Sequence, residues 1–597
     1  MRQRVTVSSR PDAARQPNTS PGATGRWPMC TVAEAHRVLT APGQPYETEQ
    51  RIVAGRRTSV WKNAPATLLD LFGSARAHGD RLFVVYENQR VSYRSFARAA
   101  VALAHALSDD GVQPGDRVAV IMSNRPQWPV AFYGALLAGA IVVPLNAWWT
   151  ARELEYVLSD CDARVVIADR ERLARLGPSL SVCAAMRRVY VTQDTAELDH
   201  CDRAVVPLEA VIGDSSAWDG LPDQPPPDLK VDPDADATIF YTSGTTGKPK
   251  GAIGTHRNAA TVAFASGFGP ARAALRRGEP IPVPDHHAPA KCTLLSVPLF
   301  HVTGSLTILH SVMLAGDHIV LMSRWDPREA LNLIERERCT TIGGVPTIAW
   351  QILHHPDRQQ FDLSSIETVN YGGAPAATAL AQRITDTWSQ ATPAQGWGMT
   401  ETSGTFTAHG GEDYLTHPDS CGLALPTGDM IIVDKRGNQL RPNQVGELWV
   451  RGANVVRGYW NNPTATAEAF TDGWLRTGDL ARINPDGYLT IVDRKKDMLI
   501  RGGENIYTTE VESALYEHPA VVDAAVIGLA HPTLGEQPAA VVHLVAGADV
   551  SDAELHDHLA QRLARYKLPV SFARHPEMLP RNPNGKIVKQ ALRHHFQ

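Results

Sequence analysis

From about Ala64 onward, apolar residues fall into two alternating spacings: stripes of helical period, and short continuous runs. Phe96, Ala100, Leu103, Ala104 and Leu107 make a stripe along one helix face, and Gly111, Pro114 and Gly115 end it. The run Arg117-Val118-Ala119-Val120-Ile121-Met122 then reads as a strand. Further strands are expected over Arg164 to Ala168, Thr293 to Val297, His318 to Met322 and Thr341 to Gly344. Apolar runs separated by helical stripes imply an α/β protein, with parallel sheets covered by helices.

After about Cys421 the pattern changes. Met430 to Val433, a turn at Arg436-Gly437-Asn438, and Gly446-Glu447-Leu448-Trp449-Val450 read as antiparallel strands of a small, distorted β-barrel. Beyond Asp497 a third pattern begins, with strands over Ala524 to Ile527 and Ala539 to Leu544. Ser551 and Glu554 are predicted to form a capping box ahead of Leu555, Leu559 and Leu563. The expected division is an extension over 1–60, partly without fixed structure, a large domain over 61–495 and a small α+β domain over 496–597.

One uncharged segment, Trp128 to Trp149, has the length of a membrane span. Gly139 and Pro144 divide it, so it reads as a buried helix feeding a buried strand. Near the N-terminus Arg2, Arg4, Arg10 and Arg15 stand among polar residues with no apolar run behind them, unlike a secretory signal. Residues 1–28 read as an extension, or Met29 as the first translated residue.

A net charge of −5 over 597 residues leaves no basic footprint for nucleic acid. Seven scattered cysteines without a C-x-x-C pair fit a reducing, cytoplasmic compartment, and neither a zinc site nor a disulfide framework. Anion chemistry, if present, must be local. The stretch Thr242-Ser243-Gly244-Thr245-Thr246-Gly247-Lys248 supplies it, following the apolar run Ala237 to Phe240. Glycines let backbone N–H groups turn toward an anion, the hydroxyls add donors, and Lys248 adds positive charge. Gly244 and Gly247 are too close for the common P-loop, and Pro249 occupies the place of its hydroxyl.

Other motifs follow in a fixed order: Gly372-Gly373-Ala374-Pro375, Gly396-Trp397-Gly398-Met399-Thr400-Glu401, Gly446-Glu447-Leu448, Arg476-Thr477-Gly478-Asp479-Leu480, Asp493-Arg494-Lys495-Lys496-Asp497 and Asn584-Gly585-Lys586. Together with the hydroxyl-rich loop they resemble the adenylate-forming superfamily of acyl-CoA synthetases, peptide-synthetase adenylation domains and luciferases. The resemblance runs from about residue 64 to the end. It implies a two-step reaction, in which a carboxylate displaces pyrophosphate from ATP and a thiol then displaces AMP.

By this resemblance, Lys586 bridges carboxylate and α-phosphate, Thr400 reaches the α-phosphate, and Glu401 is a ligand of Mg²⁺, a hard ion that prefers few protein oxygens plus phosphate. Residues 242–248 with Gly373, Ala374 and Pro375 hold the nucleotide, Trp397 stacks on adenine, and Asp479 and Arg494 bind the ribose. Most relatives carry Tyr at the Trp397 position, so the stacking face is kept while the ring hydroxyl is lost. Lys496 matches the hinge of a mobile C-terminal domain, Gly502 and Gly503 its CoA channel, and Thr508 stands where many relatives have proline.

For the acyl pocket the resemblance nominates His301, Val302, Gly372 and Gly396, with His301 as a gate beside the carboxylate. Phe300-His301 occupies the place where amino-acid-activating relatives carry an aspartate for the substrate ammonium, which disfavours an amino acid. Gly396 removes a side chain from the expected pocket wall and so permits a long or bulky acyl group. The resulting expectation is an ATP-, Mg²⁺- and CoA-dependent acid:CoA ligase acting on a hydrophobic, fatty carboxylic acid. Carrier-protein loading, luciferase-type oxidation and a silent acyl or nucleotide binder are the rivals. A homodimer fits the sequence.

Overall fold

A computed structural model describes residues 27–176, 185–193, 205–242, 248–282, 288–373, 376, 379–502, 504–582 and 586–596. Two large sheets dominate. The first runs in the order Lys250–Thr255, Asp236–Thr242, Ile141–Pro144, Arg117–Ile121, Ala163–Asp169, Arg188–Thr192 and Val205–Pro207. The second has nine strands, and the six from Thr392–Gly396 through Thr368–Gly372, Thr341–Gly344, Cys292–Leu295 and His318–Leu321 to Leu82–Tyr86 are all parallel. One apolar core joins Val118, Val120 and Ile167 of the first sheet to Phe83, Leu295 and Ile319 of the second, through helices such as Tyr93–Asp109 and Gln127–Leu137. A second core lies on the opposite face of the nine-stranded sheet, built from Ile342, Val369 and Tyr371 with Leu331, Ile334 and Ile352 of its helices.

The predicted stripe Phe96 to Leu107 is one side of the helix Tyr93–Asp109, and all five of its members are buried. The segment Trp128 to Trp149 contains the helix Gln127–Leu137, buried at every position, then Gly139 at φ +83° and the strand Ile141–Pro144. A helix enclosed on all sides is apolar all round, which is why it imitates a membrane span in sequence. No helix among the described residues is long and apolar enough to cross a membrane.

Within the first sixty residues, the portion from Trp27 onward has regular structure. Thr31 and Glu34 cap the helix Val32–Leu39 reciprocally, and the hairpin Thr48–Val53 with Arg56–Trp61 follows. Tyr46 and Trp61 pack their rings against Phe264 and Phe268, tying this portion to the helix Phe268–Arg277. An aromatic cluster whose members are some two hundred residues apart leaves no periodic trace in sequence.

The antiparallel strands Gly428–Val433, Gly446–Gly452, Phe470–Thr471, Trp474–Ile483 and Leu489–Arg494 form the small third sheet. The C-terminal unit pairs Val521–His531 with Gly535–Leu544 and adds Leu499–Arg501, Glu504–Ile506 and Phe572–Arg574. Its helix Asp552–Ala560 is capped by Ser551, whose hydroxyl accepts from the Glu554 N–H at 3.2 Å. The reciprocal half of the predicted capping box does not form, because the Glu554 carboxylate turns to His518, 3.6 Å away. Leu555 and Leu559 are buried as expected, while Leu563 lies beyond the helix end.

Thr508 has a specific task. Its N–H donates to Asp493 Oδ2 at 2.5 Å, and its hydroxyl lies 3.1 Å from the same oxygen and accepts from Lys589 Nζ at 2.8 Å. Asp493 ends the small third sheet and Thr508 opens the helix Thr508–Tyr516, so this buried bond ties the two units together. Proline would have no N–H to give. Thr508→Pro should therefore lose about 1–3 kcal/mol and lower the melting temperature in calorimetry. An unchanged transition would mean that the bond contributes nothing to stability.

Candidate functional site

A cavity of about 1720 Å³ opens where the C-terminal ends of the second sheet's parallel strands meet the third sheet and the C-terminal unit. Thr242, His301, Val302, Gly372, Gly373, Gly396, Trp397, Thr400, Glu401, Arg494 and Lys586 all line it. They come from six separate stretches of the chain. Loops at the carboxyl ends of parallel strands are where α/β sheets place ligands, since the strands aim their last residues at one crevice.

Thr400 and Glu401 sit on the short turn Thr400–Thr402. The Glu401 carboxylate is 6% exposed and accepts a hydrogen bond from the Tyr459 hydroxyl at 2.7 Å. Val456 N–H donates to the Glu401 carbonyl at 3.0 Å, so the segment carrying Tyr459 holds both backbone and side chain. Lys250 Nζ lies 5.5 Å from the Tyr459 ring centroid, on the cavity wall. Lys248 is exposed instead, its ammonium 5.1 Å from the Tyr156 ring and off that wall. The strand pairing Thr242↔Lys250 explains the difference, because it draws the second lysine of the motif back alongside Thr242. Residues 243–247, with Ala374, Pro375 and Gly503, lie outside the described residues.

Trp397 and Asp479 prove to be partners. The indole Nε1–H donates to Asp479 Oδ2 at 2.9 Å, and Arg494 Nε stands 3.0 Å from Oδ1. Asp479 is 2% exposed, and its N–H is held by the Thr477 hydroxyl at 3.1 Å. Replacement of the usual Tyr therefore does not leave the ring without a hydrogen bond, because the indole supplies a donor of its own. Trp397 also packs edge-on against Phe406 and is only 8% exposed, so it serves the small sheet's core as well as the cavity.

Lys586 enters from the C-terminal unit. Its N–H donates to Asn582 Oδ1 at 3.0 Å and its carbonyl accepts from Asn582 N–H at 2.8 Å, so the two residues hold each other. The segment leading to Asn582 is fastened by Asp523, a fully buried carboxylate that accepts from Leu579 N–H at 3.0 Å, Arg581 at 2.7 Å and the Tyr516 hydroxyl at 2.7 Å. Loss of water around the Lys586 ammonium lowers its pKa to about 8, and Arg494 and Lys496 push the same way while Asp479 and Glu401 oppose them. His301 is held neutral: burial takes its pKa down to about 3, with the Lys586 charge adding to the effect. Its Nε2 has no hydrogen-bond partner among the described residues.

Not every nominated residue reaches the cavity. Gly502, at φ +59°, and the exposed Lys496 stand off its wall. Gly396 does line it, yet a Cβ there would come within 2.7 Å of the Thr407 carbonyl, so the approach of a neighbouring backbone also demands the glycine. Tyr459, Lys250 and Asp523 were missed in sequence. Tyr459 lies 58 residues from Glu401, and nothing local marks their contact.

The donor set suits a cation shared with phosphate. No group of three or more His, Cys, Asp or Glu side chains that could hold a metal occurs among the described residues, and the Glu401 carboxylate lines the cavity together with Thr400 and Lys250. A single carboxylate beside an anion site fits Mg²⁺ better than a metal that needs a protein cage.

A family model described as AMP-binding enzyme matches residues 71–460, and one for the C-terminal domain of such enzymes matches residues 510–586. The chain belongs to the AMP-binding enzyme family. Within it, the resemblance is to the acyl-CoA synthetase type. A feruloyl-CoA synthase of an Amycolatopsis species is 35% identical over 506 residues, covering 85% of this chain and 94% of that protein. A long-chain-fatty-acid–CoA ligase of Bacillus subtilis is 33% identical over 540 residues, covering 87% and 93%. Among solved structures, an anthranilate CoA ligase in complex with anthranoyl-AMP superposes with a TM-score of 0.76 at 25% identity, covering 88% of this chain and 96% of that one.

For this AMP-binding enzyme, Trp397→Phe keeps a flat face but removes the donor to a buried carboxylate. It should weaken ATP binding about tenfold in calorimetry, the cost of roughly one hydrogen bond to a charged group. Unchanged affinity would show that Asp479 needs no help from the indole.

Proposed function

We propose that the chain is an ATP- and Mg²⁺-dependent ligase that joins an extended hydrophobic carboxylic acid, of fatty-acid dimensions, to CoA through an acyl-adenylate. The observation that carries this reading is the position of Lys586, which the C-terminal unit brings to a cavity wall shared with Thr400, Glu401 and Arg494.

In the first step a carboxylate oxygen attacks the α-phosphorus and the bond to the β-phosphate oxygen breaks, releasing pyrophosphate. Two anions must meet, so fixed positive charge matters more than a base. Lys586 supplies it between carboxylate and α-phosphate, and Thr400 donates to the same phosphate. Glu401, oriented by Tyr459, would hold the Mg²⁺ that neutralises the phosphates, with Lys250 beside the departing pyrophosphate. Asp479 and Arg494 take the ribose and Trp397 the base. In the second step the CoA sulfur attacks the acyl carbon, the bond to AMP breaks, and the thiol proton passes to solvent.

The second step calls for a different face of the C-terminal unit. Gly502 and Lys496, which stand away from the cavity here, are assigned to the CoA channel and the hinge. The cavity's length along the sheet supports an extended acid, as do relatives named for feruloyl and long-chain fatty substrates. Phe300 and His301 stand where the resemblance would put an aspartate for a substrate ammonium, which speaks against amino acids.

Lys586→Ala should abolish pyrophosphate release while sparing CoA thioester formation from supplied acyl-AMP, as quenched-flow assays of each half-reaction would show. Equal loss of both halves would remove its assigned role. The pH profile gives a second check. Lys586 is charged below its depressed pKa, so kcat/KM for pyrophosphate release should fall as pH rises through about 8. A profile that stays flat to pH 10 would contradict it.

A further inference from the structure

Strands buried on both faces of a parallel sheet read as apolar runs. The middle of the nine-stranded sheet departs from this on one face only. Ile342, Val369 and Tyr371 pack into the second core, but their neighbours point the other way. Strand register places Thr293, Thr341, Thr368 and Thr392 in one row across four strands. Gly343, Asn370 and Ala394 form the next row, and Gly372 beside Gly396 the row nearest Thr400 and Glu401. All of these residues line the cavity.

Part of this face is covered. The helices His256–Ala265 and His310–Ala315, with the turn Thr303–Leu309 between them in space, roof it through Val262, Ala265, Thr307, Ile308 and Val312. The roof is mainly apolar and the floor is polar or small. Asn370 is exposed to the cavity although its strand is an inner one, and its carboxamide makes no hydrogen bond among the described residues. At a rise of about 3.3 Å per residue, Asn370 lies about 7 Å beyond the Gly372 row, and the threonine row lies about 13 Å beyond it.

We propose that Asn370 and the threonine row are a polar subsite that selects acids carrying a hydroxyl, phenol or keto oxygen at their far end. The inference rests on the ligase reading above and narrows its substrate class to an acid with an apolar stem and an oxygenated tip. A carboxamide both donates and accepts, as does each threonine hydroxyl, so any of these oxygen groups finds a partner. An acid without such an oxygen leaves these polar groups facing methylenes, which is the basis on which such sites discriminate.

The test uses matched pairs of acids, octanoate with ω-hydroxyoctanoate and cinnamate with para-hydroxycinnamate, on the full-length protein and on Asn370→Leu and Thr368→Val. Each is assayed for acyl-CoA formation and, independently of turnover, for binding by calorimetry. Wild type should favour the oxygenated member of at least one pair tenfold or more in kcat/KM and in Kd. Asn370→Leu should bring that ratio close to one. Thr368→Val, which removes only a hydroxyl, should reduce the ratio if the leucine variant does not fold. A wild-type ratio at or below one for both pairs, or ratios unmoved in the folded variants, would overturn the subsite. Failure of every acid to yield acyl-CoA would instead overturn the ligase reading, and the binding ratios would still decide the subsite.

Discussion

Enclosing a lysine ammonium near a guanidinium is costly unless opposite charge stands close by. Around Lys586 that balance is met in part by Glu401 and Asp479, and much of the architecture serves to arrange it. Asp523 holds the segment before the lysine, Tyr459 holds Glu401, and Trp397 with Arg494 holds Asp479. These supports come from distant parts of the chain, so the site exists only when the large body and the C-terminal unit are docked as they are here. The residual positive charge then makes the docked arrangement receptive to an anion.

The link between the units is made of polar bonds as well as packing. Asp493 accepts from Thr508, and Lys589 bridges Thr508 to Glu512 at 2.8 Å and 2.7 Å. These groups are largely removed from water, so the docked state is well defined. Their number is small compared with the apolar contacts inside either unit, which is the pattern expected where two bodies must hold one orientation without becoming a single core.

Much of this was legible in the sequence, for physical reasons that differ by element. The strand Thr341–Gly344 and the helix behind the Phe96 to Leu107 stripe follow from periodicity alone, because burial there is one-sided and regular. The division of Trp128 to Trp149 into helix and strand follows from Gly139 and Pro144. The site residues were reached through motif order, and the cavity gathers many of them, Thr242, His301, Thr400, Glu401, Arg494 and Lys586 among them, while Lys248, Lys496 and Gly502 stand off its wall. What escaped were contacts between distant residues of ordinary type. Tyr459 and Asp523 look like any tyrosine and aspartate until the fold brings partners to them. Asn370 could have been noticed, since Thr368-Val369-Asn370-Tyr371-Gly372 puts a carboxamide where a central parallel strand wants valine or isoleucine. Lys250 was hidden by its neighbour Lys248, and only the pairing of two strands separates them.

The floor of the cavity is a hydrogen-bonded ladder, among the stiffest surfaces a protein can offer, and its rows are spaced by backbone geometry. Separation between the reacting end and the threonine row is therefore a fixed length, indifferent to loop movement or to the orientation of the C-terminal unit. Such a surface works as a graduated gauge. New preferences can arise through a single side chain at one graduation, Ala394 for instance, while the catalytic crevice at its end stays untouched.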